Sequence, residues 1–505
     1  MKNALFASVA LAALSLPAAA SAAAYKHVLL VSIDGMHALD LANYVAAHPK
    51  GALAELSAHG VTYGSALTPN PSDSFPGTLA LTTGGTPYST GIFYDDSYDR
   101  EAFKPGSDCK GDAGEEVNFA ENIDKDDTKI DGGGTPGDWM SQIDPKNLPT
   151  HLKDGKCVPF YPHEFLRVNT LFEVVKAHGG HTAWSDKHPA YELLNGPSGK
   201  GLDELYSLEQ DSVIGDTKVK TTGSFKAERD FDEARVKALL NMIKGKNGAG
   251  TKDSAVPTVF GMNFQAVSVG QKLPASALKD DEGLVGGYAD ASGAPNSGLA
   301  KALDYVDGAL GELVDGLKAA KLDGETLIIV TAKHGQSPVD GATLQSLDDD
   351  PYTKLPGYSF HIADDASLIW LKPKDREASL AGALDYLHAN AKTLGIAAVL
   401  TPRALALTFQ DPAKDSRTPD FIVNVVPGVV YADAKKKIAE HGGMNWNDRN
   451  VALLVSAPGL KAANVPGLVG TTQVAPTILK SLGYDPKELQ AVKIEGTESL
   501  PGLPF

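Results

Sequence analysis

The sequence predicts an α/β fold, a mostly parallel central sheet with helices on both faces, carrying cap insertions. The first observation behind this is HVLLVSI, from His27 to Ile33, a continuous apolar run ended by Asp-Gly. A strand buried on both faces reads this way, and such strands belong to parallel sheets. The second is recurrence: similar runs appear at Thr258–Phe264, Thr326–Thr331, Phe421–Val425 and Val451–Val455, separated by segments of helical periodicity. Repeated strand–helix units favour a parallel sheet with its functional groups at the carboxyl ends of the strands. The third is bulk: 505 residues, 42% of them hydrophobic, supply a large core and exclude fibrous or disordered classes.

Ahead of the first strand, Lys2 precedes the apolar run Ala4–Leu16, Pro17 and the small-residue stretch AAASAAA. This is the layout of a cleavable leader, with cleavage expected after Ala22. Residues 1–22 are therefore expected to be a signal peptide and residues 23–505 the folded domain, in the periplasm or outside the cell. No later stretch is long and apolar enough to anchor the chain in a bilayer. The formal charge of −17 excludes a broad electrostatic grip on a nucleic-acid duplex.

Helices are expected at Thr170–Ala177, Glu228–Ile243, Gly298–Ala320, Arg376–Lys392 and Gln473–Leu482. About residues 95–165 the texture turns to Asp, Gly, Lys and Pro, which suggests a cap over the sheet. A second cap is expected at about 336–416, with a strand at Ser367–Leu371. Both cysteines, Cys109 and Cys157, lie in the first cap. Paired in an oxidising compartment they would contribute about 4 kcal/mol by chain entropy; two free buried thiols are the alternative.

Chemistry-bearing residues follow the strands. Asp34 ends the first run, where a buried carboxylate needs a cation or strong hydrogen bonds. In PNPSDSFPGTLALTTG, Ser74 begins a helix-like run, where unpaired N–H groups can hold a phosphoryl group. Lys333 and His334 close the run TLIIVT, and His441 precedes two glycines ahead of a later strand. Singly, each has an ordinary structural reading: a turn, an N-cap, a loop histidine.

In order, SIDG, SFPGTLALTTGGTPYSTGI, KHG and EHGG make the chain resemble the nucleotide pyrophosphatase/phosphodiesterase family of the alkaline phosphatase superfamily, from Val28 to about Leu482. The resemblance implies an alkaline phosphatase-like fold and a hydroxyl nucleophile, assisted by two zinc ions, that cleaves phosphate esters through a phospho-enzyme. It makes Ser74 the nucleophile, Asp34 and His334 ligands of the metal that activates it, and His441 a ligand of the second metal.

The pattern then departs. Where the family has Asp and His four residues apart, GMNFQAVSVGQKL places Val267 and Gln271. Lys333 stands where the family has a metal-binding Asp, and an ammonium has no lone pair to offer an ion. A divalent metal, zinc by resemblance, is expected as one ion rather than two, with a metal-free site as the alternative. Lys333 would then supply part of the missing positive charge. WSDKHPAYELLNG brings Asp186, Lys187 and His188 to a strand end as substrate contacts or replacement ligands; Asp95 or Asp96 in GIFYDD lies near a family Asn that donates to a phosphoryl oxygen, where a carboxylate would repel phosphate unless metal-bound or neutralised.

The expectation is a hydrolase of phosphodiesters or related phosphorus esters, with catalytic Ser74 and Lys333, ligands Asp34, His334 and His441, and substrate contacts Asp95, Asp186, Lys187, His188 and Gln271. The rivals are an anion-binding relic of the same fold and a phosphomonoesterase- or sulfatase-like esterase. The Cys-x-Pro-x-Arg or Ser-x-Pro-x-Arg segment usual in sulfatases is absent.

Overall fold

The computed structural model describes residues 24–119, 123–281 and 283–505. The expected signal peptide lies outside them. The central sheet has strands β1 (His27–Ile33), β2 (Gly60–Tyr63), β3 (Thr182–Asp186), β4 (Glu204–Ser207), β5 (Val259–Phe264) and β6 (Thr326–Thr331). A second sheet contains β7 (Tyr358–Ala363), β8 (Ala366–Leu371), β9 (Ile396–Leu400) and β10 (Phe421–Val425), after which β11 (Leu453–Ser456) and β12 (Ala463–Val465) return to the first.

In space the central order is β12-β2-β11-β6-β1-β5-β3-β4. β1 lies between β5 and β6, parallel to both, with Val31 opposite Met262 on one side and Val330 on the other. β11 runs antiparallel to both its neighbours, and the other pairings are parallel. Burial explains the unbroken apolar runs: Val28, Leu30, Val31 and Ile33 have no exposed surface. Each such side chain contributes about 1.5–3 kcal/mol on leaving water.

One face of the sheet is covered by helices that include α3 (Phe225–Ile243), α4 (Ala266–Lys272) and α5 (Ser297–Ala319), which pack on one another. On the other, α1 (Ser74–Thr83) packs with α2 (Leu171–Ala177) and α6 (Val474–Ser481). Every residue of α1 is buried, which accounts for its lack of a polar stripe. It stops at Gly84, whose φ of 75° is left-handed.

The Phe421–Val425 run corrects a sequence expectation. It joins the second sheet, in the order β7-β8-β10-β9 and antiparallel throughout, rather than the central one. Its apolar composition signals burial on both faces, which the second sheet also provides, through Leu371, Leu387 and Val423 on one side and Trp370, Leu405 and Ile422 on the other. Between α1 and α2 the chain forms two small hairpins, Asp96–Asp99 with Glu115–Asn118 and Thr150–Lys153 with Lys156–Pro159. Cys109 and Cys157 form a disulfide across this segment. Among the described residues, no helix is long and apolar enough to cross a membrane.

Candidate active site

At the carboxyl ends of β1, β3, β5 and β6 the chain leaves the sheet and delivers polar side chains to one place, as parallel sheets do. Asp34 leaves β1 into a turn at Gly35, whose φ of +79° favours glycine. Its Oδ2 accepts from Gln265 Nε2 at 2.5 Å and lies 3.1 Å from Lys333 Nζ and 3.7 Å from His334 Nε2. Lys333 also donates to the Tyr191 hydroxyl at 2.6 Å. Asp34 and Lys333 both have fully buried side chains. Burial alone would raise the Asp34 pKa, but Lys333, His334 and Lys187 hold its carboxyl well below the usual carboxylate range. For Lys333, burial pushes the pKa down and the Asp34 charge opposes it.

Gln265 reaches Asp34 because its own backbone is fixed. Asp232 on α3 accepts from Gln265 N and Ala266 N, and pairs with Arg235, which donates to Asn263 O at 2.6 Å. Both charges of that pair are fully buried, so removing either would leave the other uncompensated.

Ser74 is the first residue of α1. The N-cap Asp73 accepts from Phe75 N at 3.2 Å and Asp95 N at 2.9 Å, tying the nucleophile candidate to the GIFYDD segment. Burial, then the Asp95 charge, raise the Asp73 pKa well above the usual range. The helix can approach β6 because residue 77 is glycine: a Cβ there would lie 1.9 Å from Lys333 O.

His441 comes from the loop before β11. Its Nε2 lies 3.5 Å from Ser74 Oγ and 3.5 Å from Asp73 Oδ1, and its ring stacks on His334 with centroids 3.9 Å apart. His441 Nδ1 faces Glu440 Oε2 at 3.0 Å and Lys272 Nζ at 2.9 Å. Burial, then Lys272, lower the His441 pKa to about 4. Burial, then the His441 charge, push His334 well below the ordinary histidine value.

Asp34, Ser74, Lys333, His334 and His441 thus converge although they are far apart in sequence. Ser74 itself has no exposed surface. Its neighbours within hydrogen-bonding reach are polar.

The remaining expected contacts separate. Lys187 faces the site: burial is the largest single effect and lowers its pKa, but the charges of Asp34, Asp95, Asp186 and Asp73 together outweigh it and raise the pKa. Asp186 accepts from Trp184 Nε1 at 2.7 Å and Lys187 N at 2.9 Å, which aims the lysine. His188 turns Nδ1 to Glu209 at 2.9 Å. Gln271 donates to Gly35 O and Tyr288, and Val267 is wholly buried. Glu440, Lys272, Tyr191, Asp73 and Gln265 were not anticipated. The signal for Glu440 and Lys272 was adjacency, since each stands beside a family ligand position.

These donors do not fit a binuclear metal centre. Among the described residues, no three His, Asp or Glu side chains at the site bring ligand atoms within reach of one ion. Asp34 Oδ2 is already paired with an ammonium and Val267 has no donor, while Asp34 Oδ1, His334 Nε2 and Asp73 Oδ1 are buried without a hydrogen-bond partner.

The sequence matches the family model for type I phosphodiesterase/nucleotide pyrophosphatase over residues 28–445. Murine ectonucleotide pyrophosphatase/phosphodiesterase 5 has a similar structure, with TM-score 0.55 and 16% identity, over 91% of this chain and 95% of that one. The alkaline phosphatase PafA gives 0.58 and 14% over 91% and 96%. Phosphonoacetate hydrolase from Sinorhizobium meliloti, in complex with phosphonoformate, gives 0.53 and 16% over 91% and 96%. At these identities the likeness is one of fold, an alkaline phosphatase-like one. No curated protein sequence matches.

Proposed function

From the premise that the chain belongs to the type I phosphodiesterase/nucleotide pyrophosphatase family, a family of hydrolases, we propose that it cleaves phosphodiesters or related small phosphorus esters with Ser74 as nucleophile. In this reading Lys333 and Lys187 supply the positive charge that metal ions supply in the family. The observation that carries it is the Lys333 ammonium, 3.1 Å from the Asp34 carboxylate that an activating ion would need.

The roles follow from position. Ser74 attacks from the amino end of α1, whose backbone N–H groups favour negative charge. Lys333, fixed by Asp34 and Tyr191, adds a positive charge to the cluster. Among the described residues, no side chain pairs with the Lys187 ammonium, so it is available to a phosphoryl oxygen. Asp95 flanks the same space and restricts how the anion can lie.

Supporting this class of ligand, the murine neighbour is also described as an inactive variant in complex with AMP. The closed state of Ser74 means that substrate enters by opening the site. Tyr94 OH, bonded to Asp364 Oδ2 at 2.9 Å and His441 O at 3.2 Å, joins the second sheet to the His441 loop. The expected leader and the disulfide support export to the periplasm or beyond.

Turnover of a panel of aryl phosphodiesters, phosphomonoesters and nucleotides by wild type and Ser74→Ala tests the proposal. Loss of turnover with an unchanged melting temperature is expected. Equal turnover in the variant would refute the nucleophile.

A further inference from the structure

Three consecutive carboxylates, Asp348, Asp349 and Asp350, stand where the chain turns toward β7, the edge strand of the second sheet. One ligand oxygen from each lies within 4.8 Å of those of the other two. Their one ion-pair partner among the described residues is His361 on β7. We propose that Asp348, Asp349, Asp350 and His361 form a zinc-binding site, separate from the candidate active site, that ties this turn to the second sheet.

The carboxylates alone would be an ordinary acidic patch, and it is His361 that makes them a site. Its side chain is only 9% exposed, whereas that of Asp349 is 44% exposed. His361 Nε2 is buried, makes no hydrogen bond, and faces Asp349 Oδ2 at 3.4 Å. A buried ring nitrogen left in that state is costly unless something occupies the space before it. Two donors each about 2.1 Å from one ion, at a tetrahedral angle, stand about 3.4 Å apart. The separation of the two side chains is therefore that of two ligands of a single ion.

The far side of the ring is prepared for the same task. His361 Nδ1 lies 3.0 Å from the Tyr358 hydroxyl. With Nδ1–H donated to that oxygen, the lone pair stands on Nε2, the tautomer that a metal requires. Tyr352 and Tyr358 flank the imidazole, with ring centroids 5.3 and 5.6 Å away. Tyr352 is wholly buried and its hydroxyl lies 2.7 Å from that of Tyr431, so the ring rests on the core of the second sheet.

The carboxylates lie on the solvent side, from which an ion enters. Asp348 Oδ1 accepts from Asp350 N at 3.0 Å, which folds the turn and leaves the other oxygen to a ligand. Three like charges this close repel one another, and a dication offsets that repulsion.

The donor set selects the ion. Calcium and magnesium take oxygen donors, and an imidazole in the set disfavours both. Zinc accepts imidazole nitrogen and carboxylate oxygen together, in four-coordinate sites. Bound there, it would join the turn Asp350–Lys354 to β7, the strand that leads into Asp364 and its bond to Tyr94. None of the four ligands is among the residues gathered around Ser74, so the role is one of stability rather than chemistry.

Equilibrium dialysis of the chelator-stripped full chain against zinc alone, with bound metal counted by mass spectrometry, tests the site. Thermal melting with and without zinc accompanies it. Wild type should bind one equivalent here, and His441→Gln, altered at the candidate active site, should keep it. Tyr358→Phe, which only frees the ring, should weaken binding about 10- to 100-fold. Asp349→Asn and His361→Phe each remove a ligand and should weaken it more. Excess zinc should raise the melting temperature of wild type and His441→Gln by about 2–5 °C and leave the two ligand variants unmoved. Asp349 is partly exposed, so its variant decides even if His361→Phe does not fold. Wild type without bound zinc, equal binding in wild type and Asp349→Asn, or displacement of zinc by an equal concentration of calcium would overturn the site and leave an acidic patch. Loss of zinc in His441→Gln alone would overturn it too, and would assign the ion to the candidate active site.

Discussion

Lys333 Nζ lies 3.1 Å from Asp34 Oδ2, with both side chains removed from solvent at the carboxyl ends of adjacent parallel strands. In the proposed reading this ammonium stands in for an ion. Charge neutrality at Asp34 is met from within the sequence, and the pair becomes part of the fold as well as part of the site.

Lys333→Met should therefore act twice. With Asp34 left buried and unpaired, unfolding free energy should fall by about 3–5 kcal/mol, measured by urea titration. The double variant Lys333→Met, Asp34→Asn should recover most of that stability and none of the activity. Recovered activity would show that the lysine is only a structural partner.

Gly77→Ala tests the seating of α1. The added Cβ would meet Lys333 O at 1.9 Å, so either the helix or the strand end must move. A loss of about 1–3 kcal/mol is expected, together with a disproportionate fall in kcat because Ser74 moves with the helix. Wild-type kinetics in this variant would show that the site tolerates repositioning.

Histidine burial should make stability sensitive to mild acid. His441 is lowered from an ordinary 6.5 to about 4, so below pH 6.5 the unfolded chain takes up a proton that the folded chain refuses. Stability is lost as pH falls through that window, by about 3 kcal/mol in total from this group at pH 4. Asp73, raised by burial, works in the opposite sense, so the comparison must be a difference. Urea titrations of wild type and His441→Gln between pH 4 and 7 should converge as pH falls. Parallel curves would contradict the sign.

Lys187→Met should separate binding from folding. Since no described side chain pairs with this ammonium, kcat/KM should fall about 100-fold, with a smaller loss of stability than Lys333→Met. Inhibition by inorganic phosphate should weaken in parallel. Unchanged phosphate affinity would remove Lys187 from the site.

Much of this was legible in the sequence. Apolar runs bounded by Asp-Gly and Lys-His-Gly located β1 and β6, and order along the chain pointed to Ser74 and His441 as candidates, which the fold brings within 3.5 Å of each other. Phe421–Val425 misled because an apolar run reports burial, not which sheet provides it. Asp186 and His188 looked equivalent to Lys187, yet Trp184 and Glu209 claim their side chains, and such long-range partners leave no local trace. The pairing of Glu440 with Lys272 was hidden for the same reason, although each adjoined a position already under scrutiny.

The most direct test of an ammonium-based site is single-turnover phosphorylation of wild-type protein stripped of metal by chelator. Mass spectrometry should find the remaining phosphoryl ester of a diester substrate on Ser74, with leaving group released at the rate of untreated protein and unchanged by added zinc. Release that stops on stripping and returns with zinc would contradict the account.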